Sequence, residues 1–165
     1  MKNKPSCHTF CDYLATESGL LKISSNDEAI TAIAFVEQQD EPSGSTPLLQ
    51  QAKQQLTDYF EQKRKTFDLP LAPAGTEFQR NVWRELRAIP YGVTCSYADI
   101  AKRLNNPNAV RAVGSANGKN PISIIVPCHR VIGTNGTLTG YAGGLQRKAF
   151  LLLLENPLFS AREPK

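Results

Sequence analysis

Long hydrophobic runs are missing from this chain of 165 residues: no apolar stretch approaches the roughly 18 residues that span a bilayer, which excludes a membrane-spanning helix. Histidine is scarce, with only His8 and His129. A protease that pairs its cysteine with a distant histidine would have to recruit His8 from far upstream, so proteolysis is disfavoured. The cysteines are Cys7, Cys11, Cys95 and Cys128 and show no paired C-x-x-C framework. The first twenty residues, MKNKPSCHTFCDYLATESGL, have no continuous apolar core behind their lysines. A secretory signal is therefore not expected, and a cytoplasmic, reducing location with free thiols is.

What remains is an ordinary globular composition, 41% hydrophobic and 21% charged, long enough for one substantial core or two small ones. Charge is uneven. Residues 1–74 hold 7 Lys and Arg against 10 Asp and Glu, whereas residues 75–165 hold 12 against 5. A basic half beside an acidic half points to an anionic partner for the former, with nucleic acid the natural reading.

FCDYLA, GLLKIS and AITAIAFV between residues 10 and 36 read as strands joined by tight polar turns. TPLLQQAKQQLTDYFEQK, with Thr46 as cap and Pro47 at the first helical position, reads as an amphipathic helix. KRKTFDLPLAPAG reads as an extended connection holding the boundary, which gives an N-terminal supporting subdomain over 1–74 and a C-terminal one over 75–165. Beyond it, Thr76 with Gln79 and Ser96 with Asp99 form capping-box patterns at the starts of two helices. A further short helix, beginning near Asn108 after NNPN, makes the last two a helix-turn-helix candidate. ISIIV reads as a strand, followed by Pro127-Cys128-His129-Arg130, a glycine-rich loop and a final helix LQRKAFLLLLE.

Pro127 interrupts strand pairing and places Cys128 where the backbone leaves the sheet. A free thiol has a pKa of about 8.5 and attacks as thiolate, so a nucleophilic Cys128 needs a base or a positive field close by. His129 and Arg130 are its neighbours, and Glu155 is one of few acids in this half that can orient the histidine. A cysteine phosphatase would want an arginine six positions on, where Thr134 stands.

NPISIIVPCHRVIG, followed by GYAGG and LLLLE, resembles the O6-alkylguanine-DNA alkyltransferases, the methylated-DNA-protein-cysteine methyltransferases. The likeness runs through residues 76–155, including FQRNVWRELRAIPYG, SYADIA and RAVGSANGKNP, and is weaker over 1–74. It implies an α+β fold, with a small N-terminal sheet and helix of ribonuclease H-like type before a mostly helical, winged-helix-like subdomain. It implies that Cys128 accepts the alkyl group irreversibly, with His129 as base through a water, Glu155 orienting it, Tyr97 donating a proton to the departing guanine and Asn120 bracing the site. By the same resemblance Arg111 enters the base stack from the minor groove. Ala112, Gly114 and Ser115 then let that helix approach DNA, with Tyr97 and Arg130 as further DNA contacts. Val131, Tyr141, Ala142 and Gly143 would form the alkyl pocket, Ala142 standing where some relatives carry serine.

The substrate implied is O6-alkylguanine in double-stranded DNA, with O4-alkylthymine as a second, taken by a monomer without cofactor or obligate protein partner. Some members of that family bind zinc near their N-termini; Cys7, His8 and Cys11 leave too few ligands, so no metal is expected. Two alternatives belong to other classes. One is a non-catalytic sensor of alkylated DNA, a kind that replaces the acceptor cysteine this chain keeps. The other is a helix-turn-helix regulator, for which no additional DNA-binding domain is present.

Overall fold

The structure, a computed structural model, describes residues 8–161, so Cys7 lies outside the described residues. Packing divides the chain into two compact units between Pro73 and Ala74.

In the first unit the alternating segments form β1 (Phe10–Thr16), β2 (Gly19–Ser25) and β3 (Ile30–Val36), an antiparallel sheet in that order. Thr16 closes the first turn, its hydroxyl donating to the Gly19 carbonyl, and the Asn26 side chain closes the second by accepting from the Glu28 and Ala29 amides. Thr46 caps α1 (Pro47–Phe60) through the Leu49 amide. Its apolar stripe, Leu49, Ala52, Leu56 and Tyr59, is buried along with Leu21, Ile23 and Ile33 of the sheet. Lys53 reaches Asp12 at 3.2 Å. The segment after β3 returns to Tyr13, whose hydroxyl donates to Asp40, and to Lys22, which pairs with Asp40 and Glu41.

The second unit opens with α2 (Glu77–Arg87), and both expected capping boxes are formed: Thr76 with Gln79 here, Ser96 with Asp99 at α3 (Tyr97–Arg103). Asn105, left-handed at φ 58°, turns the chain into α4 (Val110–Gly118). This helix begins two residues later than the NNPN signal suggests and has no side-chain cap. Trp83 of α2 donates from Nε1 to the Ala116 carbonyl of α4 at 2.8 Å, an indole bond buried between the helices. Two residues, β4 (Cys95–Ser96), pair in parallel with two others, β5 (Val131–Ile132), and α5 (Leu145–Glu155) ends the ordered elements.

One expectation fails. ISIIV is not a strand: Ile122, Ile124, Ile125 and Val126 are buried in an irregular turn. Prolines at 121 and 127 remove ladder donors at both ends, and the side chain of Asn120 satisfies the backbone in place of a partner strand.

Candidate functional site

The Asn120 amide donates from Nδ2 to the Val126 carbonyl at 2.8 Å and to that of Ile122 at 3.3 Å, and its Oδ1 accepts from the Ile122 amide at 3.0 Å. Between these anchors Ile124 is held at φ 74°, a left-handed conformation that a β-branched residue adopts only when its surroundings impose it. The closed turn delivers Cys128 as the first residue of a 3-10 turn, Cys128–Arg130, with its amide donating to the Val126 carbonyl. Asn117 of α4 donates to the Cys128 carbonyl at 3.4 Å.

Cys128 is 3% exposed. Burial pushes its thiol up, against the opposing effects of a hydrogen bond with the Asn120 side chain and the charge of Lys148. A thiol of this kind is protonated at rest and needs a base to become a nucleophile.

A histidine stands next in the chain. His129 is fully buried and meets Glu155 with Nε2 2.7 Å from Oε2. A carboxylate can only accept, so Nε2 carries the proton, and in the neutral ring Nδ1 is a lone pair. Nδ1 has no hydrogen-bond partner among the described residues. Glu155 also receives Arg130 in a fork, Nε to Oε1 at 2.8 Å and Nη2 to Oε2 at 3.0 Å, and the Gly92 amide at 3.1 Å. Gly92 is at φ 78°, and a Cβ there would stand 3.3 Å from the Glu155 carbonyl oxygen, so the approach suits glycine. Burial alone would raise the Glu155 carboxyl, but the hydrogen bonds and charges of His129 and Arg130 outweigh it and hold the carboxyl far below its usual range. Burial, aided by the Arg130 and Lys148 charges, lowers the His129 pKa despite Glu155 and keeps the ring neutral.

A second cluster faces Cys128 electrostatically. Tyr97 opens α3 directly after β4, its hydroxyl donating to the Thr139 carbonyl and accepting from the Thr139 hydroxyl, each at 3.1 Å. Lys148 of α5 is fully buried, donating to the carbonyls of Val131 at 2.6 Å and Thr139 at 2.7 Å, with its ammonium 5.9 Å from the centre of the Tyr97 ring. Burial pulls its pKa down to about 8, the Cys128 charge opposing.

Two family models cover most of the chain. Residues 77–157 match the 6-O-methylguanine DNA methyltransferase, DNA binding domain, and residues 9–73 match its ribonuclease-like domain. The constitutive methylated-DNA--protein-cysteine methyltransferase of Bacillus subtilis is 50% identical over 151 residues, 85% of this chain and 91% of that one. The chain belongs to the methylated-DNA--protein-cysteine methyltransferase family. The corresponding protein of Methanosarcina acetivorans is 49% identical over 143 residues, covering 83% of this chain and 92% of that one. The crystal structure of the Mycobacterium tuberculosis O6-methylguanine methyltransferase superposes with a TM-score of 0.83 at 41% identity, covering 94% of this chain and 97% of that one. A structure of that protein in complex with DNA matches at a TM-score of 0.81 and 44% identity, over 88% of this chain and 91% of that one. Like other members of the family, this is a DNA-repair protein that transfers alkyl groups to cysteine.

Within this alkyltransferase the expected site residues fall into three groups. Cys128, His129, Glu155, Asn120 and Tyr97 lie in the two connected networks just described. Arg111, Ala112 and Ser115 belong to α4, where Arg111 and Ala112 are exposed and Gly114 is half-buried; a Cβ at Gly114 would stand 3.8 Å from the Tyr97 ring. Val131 and Tyr141 are buried, and Ala142 and Gly143 reach the surface, with the Gly143 carbonyl accepting from Arg147. Burial pushes the Tyr141 phenol well above its ordinary range.

Arg130 is a correction. Expected as a DNA contact, it is 6% exposed; its fork lies on Glu155, Nη1 donates to the Ile89 carbonyl at 2.7 Å, and its guanidinium packs over the Tyr91 ring. A side chain so engaged lies in the interior rather than on the surface. Lys148 and Asn117 are not singled out by the sequence, because a lysine in LQRKAF and an asparagine in RAVGSANG carry no local signal of burial. Among the described residues no three His, Cys, Asp or Glu side chains cluster to hold a metal, and no helix is long and apolar enough to cross a membrane.

Proposed function

We propose that this protein repairs duplex DNA by moving the alkyl group of O6-alkylguanine onto Cys128, once per molecule. The observation that carries this reading is a buried thiol followed directly by a neutral histidine whose Nδ1 makes no hydrogen bond to a described residue and whose Nε2 is fixed by Glu155. His129 takes the Cys128 proton from the Nδ1 side, through a water, and the sulfur attacks the alkyl carbon. The S–C bond forms as the C–O6 bond breaks, the electron pair passing to guanine. The Tyr97 hydroxyl, which already donates to a carbonyl, supplies the proton that neutralises the leaving base. A thioether has no leaving group for water to displace, so each molecule acts once and no cofactor takes part.

Cys128 is too buried to meet a stacked base, so the nucleotide rotates out of the helix, at a cost of a few kcal/mol. Arg111, exposed on α4, fills the space left behind, with Ala112 and Ser115 allowing close approach to the minor groove. Val131, Tyr141, Ala142 and Gly143 form the alkyl pocket, and O4-alkylthymine, which presents the same alkyl–oxygen bond, is a second substrate. Residues 75–165 carry this chemistry as a monomer in the cytoplasm, with residues 1–74 as the accompanying subdomain.

The test is intact-protein and peptide mass spectrometry after mixing with a duplex containing one O6-methylguanine, beside Cys128→Ala. One methyl on the Cys128 peptide, equal loss from DNA and no turnover beyond one equivalent are expected. Lesion-selective binding without transfer would instead make the protein a damage sensor.

A further inference from the structure

Three buried charged groups surround the Cys128 turn: Glu155 and Lys148 from α5, and Arg130 from the turn itself. The proton acceptor assigned above is the one ring among them that must stay uncharged to work. A carboxylate beside an imidazole favours the protonated ring, because the opposite charge stabilises it. An imidazolium has no lone pair and cannot take a proton from a thiol. Something must therefore satisfy Glu155 without using His129 as the counter-ion.

Arg130 has the geometry for that. Its guanidinium covers both Glu155 oxygens, while the backbone amide of Gly92 adds a neutral donor on Oε1 and His129 occupies the remaining direction on Oε2. Arginine is charged at any working pH and fits a carboxylate with two parallel donors. The fork is itself fixed, by Nη1 on the Ile89 carbonyl and by the Tyr91 ring, whose centre lies 5.8 Å from the guanidinium carbon. We propose that Arg130 is a positioning residue for alkyl transfer: by neutralising Glu155 it leaves His129 an uncharged ring held at Nε2, with the Nδ1 lone pair open to the Cys128 proton. The proposal rests on the reading of His129 as the base.

Among the influences on His129, burial lowers its pKa most, Glu155 opposes that, and the Arg130 and Lys148 charges add to the lowering. Cys128, protonated at rest, adds no negative charge until it reacts. Tyr91, which faces Glu155 and Arg130 from the loop after α2, is likewise neutral, its phenol raised by burial and by the Glu155 charge.

The test combines single-turnover transfer rates from pH 5.5 to 9 with ring 15N NMR of His129, in the full chain, for wild type, Arg130→Gln, Arg130→Lys and His129→Gln. In wild type the ring should stay neutral, with Nε2 protonated, throughout that range. Arg130→Gln should bring its titration into the range, and transfer should fall about tenfold for each pH unit below the new pKa and recover above it. Arg130→Lys keeps the charge and should restore the wild-type acid limb. A merely structural arginine would lower the folded fraction without moving the 15N titration or the pH profile of the folded protein. Wild-type shifts and profile in Arg130→Gln would overturn the proposal. So would a wild-type His129 that titrates at or above the ordinary histidine value, a measurement that needs no variant to fold. If His129→Gln transfers as fast as wild type with an unchanged profile, it is the assignment of the base that fails.

Discussion

His129 donates from Nε2 to Glu155 Oε2 across 2.7 Å while the other nitrogen of the same ring makes no hydrogen bond to any described residue. One ring thus has one nitrogen fixed and the other available as an acceptor. Glu155→Gln removes the charge that fixes it and leaves Arg130 without its counter-ion. Loss of one partner from a buried pair costs about 3–5 kcal/mol, and loss of an oriented base slows transfer by about 10²-fold or more. Urea unfolding and single-turnover kinetics on the same preparation measure the two effects.

Stability should fall as the pH drops below 6.5, the ordinary histidine value, because the folded state resists protonating His129 and the unfolded chain does not. The Glu155 contribution runs separately: its carboxyl is lowered in the folded state, so that stabilisation is complete above 4.5 and is lost only as the pH falls further. Chemical denaturation between pH 4.5 and 7 in wild type and His129→Gln should show the first loss in wild type alone.

Lys148→Met takes the ammonium from the buried Val131 carbonyl, a loss of about 1–3 kcal/mol if that group is left unpaired, and leaves the Thr139 carbonyl with the Tyr97 hydroxyl alone. It also removes a positive charge that favours the Cys128 thiolate, so transfer should slow. The folded state holds the Lys148 pKa near 8 against 10.5 unfolded, so the folded chain binds fewer protons across that interval and wild-type stability gains a rising contribution with pH there. That contribution should be absent from the variant, which a comparison of unfolding midpoints at pH 7.5 and 10 would show.

How much of this was legible in the sequence depends on how far apart the partners lie. Local rules found the two capping boxes, the Thr46 cap and the three strands, because each is decided within a few residues. The order Cys128-His129 and a carboxylate at Glu155 were legible too. The direction of Arg130 was not: its partners are Glu155, 25 positions on, and Ile89, 41 positions back, and only tertiary packing decides whether an arginine meets carboxylate or solvent. ISIIV misled for a related reason, since its apolar residues signal burial, which a turn braced by Asn120 satisfies as well as a strand.

Asn120→Ala should damage stability more than any surface change, for it unpairs the Ile122 amide, leaves the Val126 carbonyl with the Cys128 amide alone and frees Ile124 from its left-handed conformation. Each unpaired buried group costs about 1–3 kcal/mol. Transfer by the folded fraction should also slow, because the Asn120 hydrogen bond that favours the thiolate is gone. Thermal unfolding and transfer rates, normalised to folded protein, check both.

Arg111→Ala alters an exposed side chain, so stability should stay within about 0.5 kcal/mol of wild type. Transfer from duplex DNA should fall, whereas transfer from a single-stranded oligonucleotide, which has no partner base to replace, should change little. Equal losses on both substrates would remove Arg111 from nucleotide rotation.

The two-residue parallel pairing of Cys95 with Val131 and Ser96 with Ile132 joins segments that are distant along the chain, and Tyr97 and Cys128 lie just outside it on either side. Such contacts are made late and all together, when a domain closes, because loop-closure entropy opposes them until many form at once. A fragment spanning only residues 120–155 would therefore hold the whole Pro-Cys-His-Arg tetrapeptide and Glu155 yet behave as an ordinary thiol. Nascent or partly unfolded chains would carry an ordinary thiol without alkyl transfer, and the protein would acquire that activity at the same moment as its cooperativity.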